Sequence, residues 1–163
     1  SCLAFLFKAI VFELSFLFLA MHRISKSAIV PHTPQQMFEL VNNINDYSNF
    51  LNWCDSSSIL NETGNQITAS VQINKNGFKQ TFTTINSSRP YEAIKMQLLD
   101  GPFDELQGEW RFEPLGENAA KVYLNLEFSF KSKIADMTIS PLFKSIANSQ
   151  LDAFIERAKQ IYG

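Results

Sequence analysis

The stretch KVYLNLEFSFKSKIADMTISPLFKSIANSQLDAFIERAKQIYG (121–163) changes its hydrophobic period partway along, and that change decides the fold. Val122, Leu124, Leu126, Phe128 and Phe130 alternate with Tyr123, Asn125, Glu127 and Ser129, the period-two pattern of a strand with one buried face. Beyond it the period becomes helical. Leu142, Phe143, Ile146, Gln150, Phe154, Ala158 and Ile161 fall on one stripe about twenty residues long. Ser140-Pro141 reads as a cap followed by a first-position proline. A start nearer Ile134 would instead leave Pro141 inside the helix, removing one hydrogen bond and kinking it. A helix this long and apolar on one face must lie across something concave, and a curved sheet is the candidate.

The upstream sequence supplies that sheet. RISKSAIV (23–30) reads as a first strand. Thr33-Pro34-Gln35-Gln36 carries a capping box: the Thr33 hydroxyl accepts from the third helical N–H, Pro34 loses nothing at the first position, and Gln36 reaches back. Met37, Leu40, Val41 and Ile44 continue at helical spacing for about three turns. Asn45-Asp46 starts a second short helix through Tyr47, Phe50 and Leu51.

Over 53–131 the period is two. Ile67, Ala69, Val71 and Ile73 alternate with polar residues, and Asn76-Gly77 is a strong hairpin signal leading into FKQTFTTI (78–85). Arg89-Pro90 breaks that run. Ile94, Met96 and Leu98 alternate up to the turn Asp100-Gly101-Pro102. Leu106, Gly108, Trp110 and Phe112 then face one way, while Glu105, Gln107, Glu109 and Arg111 face the other. Gly108 inside this strand marks a sharp bend or a close backbone approach. The class is α+β: a strand, two short helices, about six further strands linked by short turns, then one long helix. The short turns make the sheet antiparallel, with about seven strands curved around the C-terminal helix. No glycine-rich phosphate loop and no βαβ alternation occur.

Composition bounds the function. The chain has 163 residues, 45% hydrophobic and 18% charged, a globular balance with fifteen phenylalanines available for a core or a cavity. A formal net charge of -2 argues against DNA as a partner, because phosphate neutralisation drives such binding. The two cysteines, Cys2 and Cys54, lie in segments of different character, which points to free thiols in a reducing, cytoplasmic compartment.

Residues 1–20 (SCLAFLFKAIVFELSFLFLA) are set apart from the domain at 21–163. They are just long enough to span a bilayer, but Lys8 and Glu13 fall mid-segment, where each charge costs about 2.5–3.5 kcal/mol. They also lack the basic start and small-residue cleavage site of a signal peptide. Two readings stand: upstream sequence translated from a misassigned start before Met21, or a membrane-associated segment.

AIVPHTPQQMFELVNNINDYSNFLNWC (28–54), FTT (82–84) and DGPFDELQGEWRF (100–112) together resemble the START-like family that contains the coenzyme Q-binding proteins and bacterial ribosome-association toxins. The resemblance covers 21–163 and implies a helix-grip fold with a hydrophobic cavity between sheet and long helix. It implies a non-enzymatic protein holding ubiquinone or another isoprenoid or lipid, in support of respiratory electron transport. It also implies an alternative: a toxin that blocks ribosomal subunit association, with the large subunit and an antitoxin as partners. A small polyketide cyclase or dehydratase is a second alternative. The expected ligand is a hydrophobic small molecule, with peripheral membrane contact and no required cofactor. Ser48 and Asn52 stand where the family pattern has prolines, which bears only on the stiffness of the segment at the cavity mouth.

Strand parity places Phe82, Met96, Leu98, Leu106, Trp110 and Phe112 on one face. Phe128 and Phe130 join them, opposite Phe143, Ile146 and Gln150 of the helix stripe. Singly, each reads as core filler; together, under one helix, they leave room for an apolar pocket. Gln80 and Gln150 are the amides expected to point inward. Phe50 and Trp53 are placed at the cavity entrance, with a packing role for Trp53 weighed equally. Cys54 has no histidine at recognisable spacing and reads as a buried thiol. His22 and His32 lie at either end of the first strand, about 33 Å apart at strand rise, which rejects a shared metal. Glu105 and Glu109 face outward, so no acid/base pair occupies the inward face; Asp100 and Asp104 sit in a loop. Lys131, Lys133, Lys144, Arg157 and Lys159 read as a solvated face.

Overall fold

The computed structural model describes residues 2–4 and 20–163; both readings of the first twenty residues concern positions that lie largely outside them. Strands β1 (His22–Val30), β2 (Cys54–Thr63), β3 (Gln66–Lys75), β4 (Phe78–Arg89), β5 (Ala93–Asp100), β6 (Phe103–Leu115) and β7 (Ala119–Phe130) form one antiparallel sheet. Its order is β1-β7-β6-β5-β4-β3-β2. Every neighbouring pair except one is a sequential hairpin. The exception is β1 on β7, where Ile24 faces Leu126 and Val30 faces Ala120.

Helix α1 (Pro34–Asn42) and a 3₁₀ helix (Ile44–Asn49) occupy the connection from β1 to β2. The capping box forms as its sequence requires: the Gln36 N–H donates to Thr33 Oγ1 at 3.2 Å, and the Thr33 N–H donates to Gln36 Oε1 at 2.9 Å. Thr33→Ala removes one of these bonds and is expected to lower stability by about 1 kcal/mol, read as a lower urea midpoint with an unchanged slope. Asn76 and Gly77 both adopt positive φ, 52° and 80°, the signature of the tight hairpin turn between β3 and β4.

Helix α2 (Lys133–Tyr162) decides between the two starts in favour of the one nearer Ile134. It begins well before Pro141, capped by Ser132, whose hydroxyl accepts from the Ala135 N–H at 3.0 Å. Ser140 is buried inside the helix rather than capping it, and lies 3.2 Å from His22 Nε2. Asp136 Oδ1 lies 2.5 Å from the same nitrogen. These contacts with β1, and the packing of Ala135 and Ile139 on the core, hold the additional turns despite the hydrogen bond lost at Pro141. The stripe also differs at its ends. Ala147 and Leu151 belong to it, whereas Ile161 is exposed.

Candidate functional site

Helix α2 does not seal the concave face of the sheet. A cavity of about 90 Å³ remains beneath Phe143, Ile146, Ala147 and Gln150. Strands β3 and β4 contribute Ala69, Val71, Phe82, Thr84 and Asn86. Strands β5 to β7 contribute Met96, Leu106, Gly108, Trp110, Leu124 and Leu126. Ile44, Tyr47 and Trp53 close one end. Gly108 makes the close approach that its place in a strand implied. A Cβ there would sit 2.5 Å from Leu126 Cδ2, 2.8 Å from Met96 Cε and 3.1 Å from the Asn125 carbonyl oxygen.

The polar atoms are few and mostly committed. The Trp53 Nε1–H donates to Gln150 Oε1 at 3.2 Å, tying the β2 entry to α2. The Thr84 hydroxyl donates to Asn86 Oδ1 at 2.9 Å, within one strand face. The Tyr47 hydroxyl donates to the Val41 carbonyl. No Asp, Glu, His, Lys or Arg belongs to the lining among the described residues.

Burial pushes the Tyr47 phenol well above its ordinary value, and the neighbouring Cys54 adds to the shift. Cys54 itself is buried, and desolvation raises its thiol. In both groups the folded state favours the protonated form. That contribution to stability is complete below the ordinary pKa of each group and is lost as pH rises toward the folded value. The loss therefore begins near pH 9 for Cys54 and near pH 10 for Tyr47. Urea midpoints from pH 8 to 11 should fall in the wild type and fall less in Tyr47→Phe, which has no proton to lose.

Around the cavity the structure brings together Trp53, Phe82, Met96, Leu106 and Trp110 from the strand side. From the helix it brings Phe143, Ile146 and Gln150. Five of the expected residues lie elsewhere. Gln80 shares its parity with Phe82 but is exposed, because β4 runs on past the region that α2 covers. Phe50 packs edge-on against Phe154, ring centroids 5.1 Å apart. Leu98 sits beside Gly101, beyond the cavity. Phe112 stacks behind Trp110 and meets Phe38 at 5.8 Å. Phe128 is a core residue, 4.7 Å from the Phe143 ring.

Thr84 and Asn86 were missed, although the alternation that selected Phe82 puts them on the same face. Their polarity hid them. Asp100, Asp104 and Glu105 are exposed and none lines the cavity, and Glu109 faces the opposite surface beside Lys95. Arg157 is not part of a solvated face: its guanidinium forks onto Asp46 at 3.0 and 3.3 Å and lies over the Phe50 ring. His32 is buried against Tyr162, far along the chain from the His22–Asp136 contact. Among the described residues, no three His, Cys, Asp or Glu gather as a metal site, and no helix is long and apolar enough to cross a membrane.

A curved antiparallel sheet gripping a long helix over a small apolar chamber defines a START-like, helix-grip protein built around a hydrophobic cavity. Sequence comparison agrees. Residues 30–155 match the profile of the polyketide cyclase/dehydrase and lipid transport family, and the chain belongs to that family. It is 43% identical over 143 residues to the ribosome association toxin RatA of Vibrio cholerae, covering 88% of this chain and 99% of that one. It is 26% identical over 141 residues to the mitochondrial coenzyme Q-binding protein coq10 of Schizosaccharomyces pombe, covering 82% and 84%. Among solved structures, the Zhui aromatase/cyclase of a Streptomyces species superposes with a TM-score of 0.80 over 88% of this chain and 97% of its own, at 16% identity. That last likeness is one of fold.

Proposed function

We propose that this protein holds a neutral hydrophobic small molecule, an isoprenoid quinone or another lipid, between the sheet and α2 without transforming it. The apolar cavity carries this reading. Its lining is aromatic and aliphatic with a few fixed amides, the usual make-up of a site for a greasy ligand. Among the described residues, the lining holds no acidic or basic side chain, and the Tyr47 phenol, raised by burial, is already spent on a backbone carbonyl, which favours holding over acid/base chemistry. At about 90 Å³ the chamber is smaller than the roughly 150 Å³ apolar cavity that accepts benzene. A ring-sized ligand therefore enters by displacing side chains, and Met96, unbranched and adaptable, is the natural one to yield. Trp53, Phe82, Leu106, Trp110, Phe143 and Gln150 are its proposed contacts. A quinone held this way would serve respiratory electron transport from the cytoplasm, by peripheral contact with the membrane. Native mass spectrometry after gentle purification is expected to show a co-purified isoprenoid. A bare protein that quinones and lipids fail to stabilise thermally would sink the proposal.

The 43% identity to a ribosome association toxin, against 26% to a coenzyme Q-binding protein, favours a second reading. In it the same domain blocks association of the ribosomal subunits, with the large subunit and an antitoxin as partners. Overexpression should then arrest growth and shift sucrose-gradient profiles toward free subunits; unchanged profiles reject it.

A further inference from the structure

Hydrogen-bond accounting inside the cavity goes beyond its greasiness. An indole nitrogen can only donate, so the Trp53 contact at 3.2 Å settles which end of the Gln150 amide faces it: the oxygen. The Gln150 NH2 must then point away from Trp53. On the opposite wall, Asn86 Oδ1 accepts from the Thr84 hydroxyl at 2.9 Å, which turns the Asn86 NH2 outward from that pair. Neither NH2 group takes a hydrogen-bond partner among the described residues. The one fully enclosed polar atom without a partner there is His32 Nε2, so both amide nitrogens keep some open surface. A second lone pair left idle on a carbonyl oxygen is tolerated, whereas an N–H that a bound ligand cuts off from water is penalised unless the ligand accepts from it. The unmet demand of the cavity is thus for acceptors, presented from two sides.

No charged side chain lines the chamber among the described residues, so a carboxylate or phosphate has nothing to offset its desolvation. We infer that the cavity selects a neutral, apolar molecule by its carbonyl oxygens, with Gln150 and Asn86 as the specificity-determining donors, and discriminates against hydrocarbons of the same shape. This rests on the hydrophobic-ligand reading above.

Two shape-matched probes separate the inference from that reading: acetophenone, which carries a carbonyl, and cumene, which replaces it with a methyl branch. Each is titrated into the full chain by amide NMR. Gln150→Glu keeps an oxygen for Trp53 and exchanges the free donor for an acceptor, and Asn86→Asp does the same beside Thr84. Gln150→Met, made in a Trp53→Phe background so that no indole N–H is left free, removes the donor without adding charge and covers the case in which a buried carboxylate unfolds the protein. The expected result is a loss of acetophenone affinity of roughly tenfold in Gln150→Glu and about fivefold in Gln150→Met, with cumene changed less than twofold in both. Acetophenone and cumene weakened equally, or neither weakened, overturns the inference while leaving a hydrophobic cavity. Failure of both probes to bind the wild type overturns the hydrophobic-ligand reading and the inference with it.

Discussion

Phe154→Ala is expected to destabilise the fold by about 3–5 kcal/mol, a large share of the roughly 5–15 kcal/mol that holds a domain of this size. Phe154 is fully buried, and three rings meet it edge-on: Trp110 at 5.1 Å, Phe50 at 5.1 Å and Tyr47 at 5.3 Å. These come from β6 and from the 3₁₀ helix with its following residue, so one side chain pins α2 to two otherwise separate parts of the structure. Truncation removes the transfer energy of a phenyl ring and leaves a void that three rigid aromatics cannot collapse into. Phe154→Leu, which keeps most of the volume, should cost much less. Urea unfolding followed by tryptophan fluorescence measures both. A Phe154→Ala loss below about 1 kcal/mol would show that α2 is held mainly by its ends, through His22–Asp136 and Arg157–Asp46.

Gly108→Ala is expected to close the cavity. The new methyl would stand 2.5 Å from Leu126 Cδ2 and 2.8 Å from Met96 Cε. Both are flexible side-chain ends and can retreat, but the space open to them is the chamber of about 90 Å³ that they already border. The Asn125 carbonyl at 3.1 Å belongs to the β7 ladder and can yield little. Overpacking of this kind costs about 1–3 kcal/mol, and the protein should remain folded. Binding of an apolar probe such as cumene should fall by about fivefold or more, since a single buried methyl is worth roughly a kcal/mol and here it is placed where the probe would go. Unchanged cumene affinity in a folded Gly108→Ala protein would mean that ligands bind elsewhere. The open groove of about 490 Å³ on the other face of the same strands, lined by Lys95, Gln107, Glu109 and Glu127, would then be the place to look.

The two halves of the site were unequally legible. Strand parity found Phe82, Met96, Leu106 and Trp110 because a pleated strand sends alternate side chains to one face whatever surrounds it. Parity is silent on how far along a strand the helix reaches. Gln80 and Asn86 share one face of β4, yet Gln80 is exposed and Asn86 is buried. The same silence misplaced Leu98, which lies on the correct face but beyond the cavity, while Phe128 packs directly against Phe143 of α2 and fills core rather than lining the chamber. Local signals also compete. The sequence left two helix starts open, Ser140-Pro141 and one nearer Ile134, and the contacts of Asp136 and Ser140 with His22, 114 and 118 residues away in the chain, favour the earlier one.

By itself, then, the sequence determined the class of the protein. A change of hydrophobic period, a capping box and an Asn-Gly turn are short-range physics, and together they admit one antiparallel sheet closed by one long helix. Only the tertiary structure decided what kind of chamber results. Its volume depends on the close approach of Leu126 and Met96 at Gly108 and on where α2 crosses. Its polarity depends on which end of Gln150 Trp53 takes, a contact spanning 97 residues. Such distances are set by the balance of packing over the whole core, and no local pattern encodes them.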